Sequence, residues 1–385
     1  MVKLFLILIS AFFLFYYFPG FVLAARSQPL IANHEAVIEF NRLADPTKST
    51  PAERNEWQSY INKAKNDFRV TYGHTSHGSQ VVTGMNLLDE GGLGNYNGGT
   101  YDAFDDFAHY RWGGGGNPVA PSGTLSFFDQ KMSGASDLGN PGWVEWEAAT
   151  RSHLDNYGSS RNTVMWSWCG QVSGASEANI NTYLSLMNGL EDDYGSVNFI
   201  YMTGHLDGSG DNGNLNQRNN QIRNYVRDSS SEINTDPDII ENKILFDFAD
   251  IETWSPPELG HPDGVRQPND TDACGWCSDW CDNHSCPSCS CAHSHCLNCY
   301  NKGKAFWWLM AKLAGWGASS TPTPTTPPPG DCTPGDSDDN GSINVADLKF
   351  VLNRYYGNFG GTCVDQQGDG LINGFDLARV LFKLF

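Results

Sequence analysis

Basic residues are scarce in this chain: 24 lysines and arginines stand against 44 aspartates and glutamates in 385 residues, a formal net charge of −20. A surface of that sign repels phosphate backbones, which argues against a DNA- or RNA-binding role. Cysteine is scarce over most of the length. Before Cys274 the chain holds only Cys169, although it has 11 cysteines in all. What is not lacking is apolar material. A hydrophobic content of 39% and an aromatic content of 12% support a packed core and exclude wholesale disorder.

The N-terminus has one basic residue, Lys3, ahead of an apolar run over 4–18, then Pro19-Gly20 and the small residues Ala24 and Ala25. That layout reads as a secretory signal peptide over 1–24, cleaved near Ala24. The apolar run is long, so an uncleaved membrane anchor is the alternative. Either way the remainder is expected to be extracellular, where disulfides form.

Helices are predicted over 33–43 and 51–65, the second opening on Thr50-Pro51-Ala52-Glu53, a capping box with proline at the first helical position. Short apolar runs at 68–72, 163–168, 197–203 and 244–248 read as strands, and helical stretches follow near 176–190, 215–227 and 304–314. Strands alternating with helices imply an α/β fold, a doubly wound parallel sheet. The glycine-rich stretch 90–140 shows no period and reads as a long decorated loop. The large domain is placed at 25–316, followed by a Pro/Thr linker over 317–330 that acts as a semi-rigid spacer.

The segment 331–385 carries one pattern twice: DSDDNGSINVAD from Asp336 and DQQGDGLINGFD from Asp365. An EF-hand-type loop needs oxygen ligands at positions 1, 3, 5, 9 and 12, a carbonyl at 7 and glycine at 6. The first loop offers Asp336, Asp338, Asn340, the Ser342 carbonyl, Asn344 and Asp347, with Gly341 at the turn. The second offers Asp365, Gln367, Asp369, the Leu371 carbonyl, Asn373 and Asp376, with Gly370. Hard oxygens at this spacing suit two calcium ions, the second held more weakly because Gln367 is neutral. Each loop leads into an apolar helix, giving a small all-α module.

This duplicated loop behind a Pro/Thr linker resembles the dockerins of cellulosome-type systems. The resemblance implies that the module binds a cohesin domain on a scaffold protein, and that its host acts on polysaccharide. Loop positions 10 and 11 are Val345-Ala346 and Gly374-Phe375, where the family commonly has Ser-Thr. Cys332 and Cys363 each precede a loop and are expected to clamp the module as a disulfide.

In the large domain, polar clusters end successive strands: Gly73-His74-Thr75-Ser76-His77-Gly78, Trp168-Cys169-Gly170-Gln171, Gly204-His205-Leu206-Asp207 and Asp247-Phe248-Ala249-Asp250. That edge of an open parallel sheet is where ligands bind. A serine in a glycine-flanked turn can be a nucleophile activated by histidine. It can equally cap the following helix. The order of motifs resembles the SGNH (GDSL-type) hydrolases. The resemblance implies Ser76 as nucleophile, Gly170 as an oxyanion donor, His295 as general base and Asp250 as its orienting acid. The motifs depart from that family: GHTSHG replaces Gly-Asp-Ser, GHLD lacks the asparagine, and Ala292 stands where an aspartate would precede His295.

His74, His77, His205, His293 and His295 offer a metal centre as another reading. Three CxxC pairs lie within Cys274–Cys299. Their spacing suits zinc in a reducing compartment, but export favours a disulfide knot, leaving Cys169 unpaired. The expectation is a secreted carbohydrate esterase tethered by its calcium module, against a non-catalytic carbohydrate-binding protein or a metal-dependent hydrolase.

Overall fold

The computed structural model describes residues 29–89, 110–113, 123–129, 132–227, 243–258 and 260–317. The chain divides into two units, Met1–Gly317 and Ala318–Phe385. The described residues belong to the first. The twelve calcium-ligand positions, the linker and the N-terminal apolar segment read from the sequence lie outside them.

Seven strands build one sheet: β1 (Leu30–Ala32), β2 (Arg69–Gly73), β3 (Tyr110–Gly113), β4 (Leu125–Asp129), β5 (Thr163–Trp166), β6 (Asn198–Met202) and β7 (Ile244–Phe246). Their order is β1-β7-β6-β5-β2-β4-β3, and every pairing is parallel. Strands β4 to β7 are buried at every position. A parallel sheet covered on both faces needs continuous apolar strands, which is why VMW, NFIYM and ILF show no alternation.

Eight of the connecting helices shape the domain: α1 (His34–Ala44), α2 (Pro51–Asp67), α3 (Ser79–Asp89), α4 (Glu145–Tyr157), α5 (Glu177–Asp193), α6 (Asn214–Arg227), the short α7 (Phe248–Thr253) and α9 (Cys296–Leu313); α8 (Gly275–Cys281) sits in the cysteine-rich segment. Thr50 and Glu53 cap α2 reciprocally, and Ser176 and Asn179 do the same for α5. Helices α1, α2 and α3 pack with α9 as one layer, and α4, α5 and α6 pack together as another. The crossover β2–α3–β3 runs one way along the sheet, with β4 inserted between its two strands, whereas β5–α5–β6–α6–β7 runs the other. Right-handed crossovers that advance in opposite directions place their helices on opposite faces, so the sheet is doubly wound.

Helices α3 and α9 cross at Gly84 and Gly303. A Cβ on Gly84 would stand 1.9 Å from the Cys299 carbonyl oxygen, and one on Gly303 would stand 2.3 Å from the Gly84 carbonyl carbon. Only glycine at both positions lets the backbones approach this closely.

Two sequence readings are corrected. The stretch 90–140 is not one loop, since β3 and β4 lie within it. The run LSFFD of β4 is wholly buried, and a run that short carries no strand period to read. The last helix begins at Cys296, not at 304, because its first turn is hidden among the clustered cysteines. Among the described residues no helix is long and apolar enough to cross a membrane.

Candidate active site at the sheet's switch point

The direction of winding reverses between β2 and β5, and in an open parallel sheet such a reversal leaves a crevice at the carboxyl ends of the two strands. The loop after β2 supplies Ser76 and His77; the loop after β5 supplies Cys169 and Gly170. Gly78 lets the first loop lie against the second strand's end. A Cβ there would meet Ser167 Oγ at 2.2 Å and His74 Cβ at 2.3 Å. Tyr72 Oη donates to the Gly78 carbonyl at 3.0 Å and pins the turn.

His77 is buried, 6% exposed, and both its nitrogens are engaged. Nδ1 lies 3.3 Å from Cys169 Sγ, and Nε2 lies 3.0 Å from Asp272 Oδ2. An ionised carboxylate only accepts, so the Nε2 hydrogen points to Asp272 and the Nδ1 lone pair faces the sulfur. Burial first, then the neighbouring His205 ring, hold His77 below the usual histidine range, against the opposing pull of Asp272. The neutral imidazole is therefore the resident form at neutral pH. A half-buried thiol, a neutral imidazole and a carboxylate in series are the groups that can serve as a nucleophile, a base and its orienting acid.

The His77 ring is sandwiched. His205 stacks on it at 4.0 Å with planes 4° apart, and His293 stacks on it at 4.6 Å with planes 15° apart. His205 Nδ1 donates to the Leu206 carbonyl at 2.6 Å, which leaves its Nε2 as an acceptor. The backbone at His293 is left-handed, with φ of 60°.

His77, His205 and Asp272 each offer one ligand atom within 4.8 Å of the others. The two rings do not converge on an ion. Imidazole binds a metal in its own plane, and planes parallel within 4° and 4.0 Å apart share no such point. A metal would require one ring to rotate out of the stack.

The second loop is braced from below. Gln171 Oε1 accepts from Cys169 N at 2.7 Å, and Gln171 Nε2 donates to Asp137 Oδ1 at 2.8 Å. Thr75 donates to the other oxygen of Asp137, tying the two loops together. Gly170 is exposed and precedes the 3-10 turn Gln171–Gly174, with its N–H one residue beyond the sulfur.

The structure places the sequence-read residues as follows. Ser76 is half-buried in the crevice, with Oγ 3.5 Å from Cys169 Sγ. It does not cap α3, which starts at Ser79, and Ser79 Oγ is tied to the Ser76 carbonyl at 2.6 Å. His295 is not joined to Ser76: it is the N-cap of α9, its Nδ1 accepting from Leu297 N at 3.2 Å. Asp250 does not orient His295 either. Its Oδ1 takes the His34 backbone N–H at 3.0 Å and faces His34 Nδ1 at 2.5 Å. His74 pairs with Asp129, away from the stack. Sequence reasoning overlooked Asp272 altogether and named His77 only as one of five histidines for a metal centre, not as a general base.

Beside the crevice the eight clustered cysteines form four disulfides: Cys274–Cys277, Cys281–Cys286, Cys289–Cys296 and Cys291–Cys299. Their sulfurs are joined to one another, so none remains as a thiolate for zinc. Cys169 is the free cysteine among the described residues. The disulfide-bonded segment brackets His293 and begins two residues after Asp272, so it delivers one ring of the stack and the acid. No protein family, curated protein or solved structure matches this chain.

Proposed function

We propose that the described unit is a hydrolase of carboxylic esters that acts through Cys169. The observation that carries this reading is the series Cys169 Sγ, His77 Nδ1 at 3.3 Å, His77 Nε2 and Asp272 Oδ2 at 3.0 Å. Its lone pair facing sulfur, His77 takes the thiol proton as the sulfur attacks the ester carbonyl carbon. The tetrahedral oxyanion is met by the Gly170 N–H. The carbon–oxygen bond of the leaving alcohol then breaks, and His77 returns the proton to that oxygen. A water, deprotonated by the same imidazole, hydrolyses the thioester and restores the thiol. Asp272 keeps the imidazole in the correct tautomer and stabilises the imidazolium that forms twice per cycle. Ser76 stands beside the sulfur as a hydroxyl donor to the thiolate, a different part from the nucleophile's role expected from sequence.

With the edge strand β3 set aside, the order β4-β2-β5-β6-β7 counted from β2 is flavodoxin-like, and it supports the SGNH resemblance at that coarse level. The wider reading is a secreted esterase on acylated polysaccharide, held to a cohesin-bearing scaffold by its two-calcium module. It rests on the duplicated loop sequence. Turnover of an aryl acetate and of acetylated xylan tests the chemistry. Cys169→Ala and His77→Ala should each lose on the order of 10³-fold or more, since thiol and base act as a unit. Ser76→Ala should stay within about tenfold of wild type. Loss in Ser76→Ala with activity kept in Cys169→Ala would return the nucleophile to the serine. An inert wild type that still retains polysaccharide would make the domain a binding module.

A further inference from the structure

Behind the histidine stack lies a buried polar cluster that the chemistry above does not use. Gln80 of α3, Glu252 of α7, and Asn298 and Lys302 of α9 are each at most 1% exposed. Lys302 Nζ lies 2.6 Å from Glu252 Oε1 and also donates to Gln80 Oε1. Charges sealed from water this completely are costly unless each is paired and every spare hydrogen-bonding site is filled. The way these sites are filled identifies what the pair holds.

Glu252 Oε2 accepts the Leu206 N–H at 2.7 Å, one residue beyond His205. The Leu206 carbonyl, in turn, accepts from His205 Nδ1 at 2.6 Å and from Asp272 N at 3.0 Å. Gln80 Nε2 donates to the Ala292 carbonyl at 2.6 Å, one residue before His293. Asn298 Nδ2 reaches Glu252 Oε1 at 3.2 Å and Ser294 Oγ at 2.8 Å, one residue after His293. The two loops whose rings stack on His77 are thus each held, next to His205 and next to His293, by a group bonded to one ion pair.

We infer that Glu252 and Lys302 are positioning residues for the base. Together they fix Leu206, and through it His205 and Asp272, on one side of His77, while Gln80 and Asn298 fix His293 on the other. The inference rests on the reading of His77 as general base. Its structural part can be tested apart from that reading. A second buried pair provides the control: Lys243 Nζ lies 2.5 Å from Glu191 Oε2, with Lys243 fully buried, and it touches none of these loops.

Glu252→Gln keeps the shape but offers one acceptor where the carboxylate offers two. Lys302 and the Leu206 N–H cannot both be served. In this full-length variant kcat on an aryl acetate should fall at least tenfold with KM within twofold of wild type. Amide hydrogen exchange at Leu206 should quicken at least tenfold. Glu191→Gln should lose thermal stability yet leave kcat and the Leu206 exchange within twofold. If Glu252→Gln does not fold, Gln80→Leu removes the arm to Ala292 and one acceptor of Lys302, and leaves the Glu252–Leu206 bond in place. It should quicken exchange over 291–295 and lower kcat, with Leu206 unchanged. Unaltered exchange and unaltered kcat in these variants would overturn the inference, as would an equal kcat loss in Glu191→Gln. A wild type without turnover whose Glu252→Gln form still loosens at Leu206 would sink the esterase reading and leave the positioning intact.

Discussion

His77 faces the Cys169 sulfur with Nδ1 at 3.3 Å and turns Nε2 to Asp272 at 3.0 Å. These three groups come from the end of β2, the end of β5 and the approach to the disulfide-bonded segment. Parallel strands meeting at a switch point bring the first two together, and the Leu206–Asp272 backbone contact brings in the third. The direction of the Nε2 hydrogen leaves the Nδ1 lone pair facing the sulfur, as the proposed base requires.

Asp272→Asn probes that direction. An amide can present its NH₂ to Nε2 and drive the ring hydrogen to Nδ1, where it faces the sulfur. We expect kcat to fall on the order of 10²-fold or more, with KM little changed and the fold retained. Steady-state kinetics on an aryl acetate check it. Equal kcat in the variant would remove Asp272 from the mechanism.

The stack sets the pH range of the base. Burial and then His205 lower the His77 pKa, so the imidazole stays unprotonated at a pH where an ordinary histidine would be half charged. The acid limb of kcat/KM should therefore lie below pH ~6.5. His205→Ala removes a cause that lowers the pKa, so the limb should move to higher pH. A pH–rate profile that stays fixed or moves the other way would contradict this.

Much of the frame was legible. The buried strands at 163–166, 198–202 and 244–246 announce themselves as continuous apolar runs ending in glycine, histidine and aspartate. The loops that form the crevice were legible for the same reason. The pairing within the crevice was not. His295 precedes the last helix, where a base was expected, but its ring caps that helix, a local use that sequence order cannot distinguish from catalysis. Asp272 is one of 44 acidic residues and becomes special only through a loop contact to Leu206. Cys169 drew notice as the odd cysteine, yet the partner that gives it a role sits beside Ser76 in the chain and is oriented past it.

The cysteine-rich segment should prove to be part of the site. Peptide mapping without reductant should find the four pairings and alkylate Cys169 alone among the nine described cysteines. Reducing those bonds should release His293 and Asp272 and abolish ester turnover. Full activity with all four bonds reduced would detach the segment from the chemistry.

The C-terminal loops should bind calcium independently of the chemistry. Calorimetric titration of the whole chain should show two sites, and replacing Asp336 and Asp347 with alanine should remove the tighter one. A chelator should leave turnover of a soluble aryl ester unchanged, because the proposed chemistry uses none of the calcium-ligand positions. Failure to bind calcium would end the dockerin reading.

The central claim is that the sulfur of Cys169, and not the hydroxyl of Ser76, takes the acyl group. Acid quenching during turnover of an aryl acetate, followed by peptide mass mapping, reads this out directly. One acetyl group on the peptide carrying Cys169, lost on treatment with hydroxylamine at neutral pH as thioesters are, is the result this account requires. An acetyl group found on Ser76, with Cys169 unmodified, would contradict it.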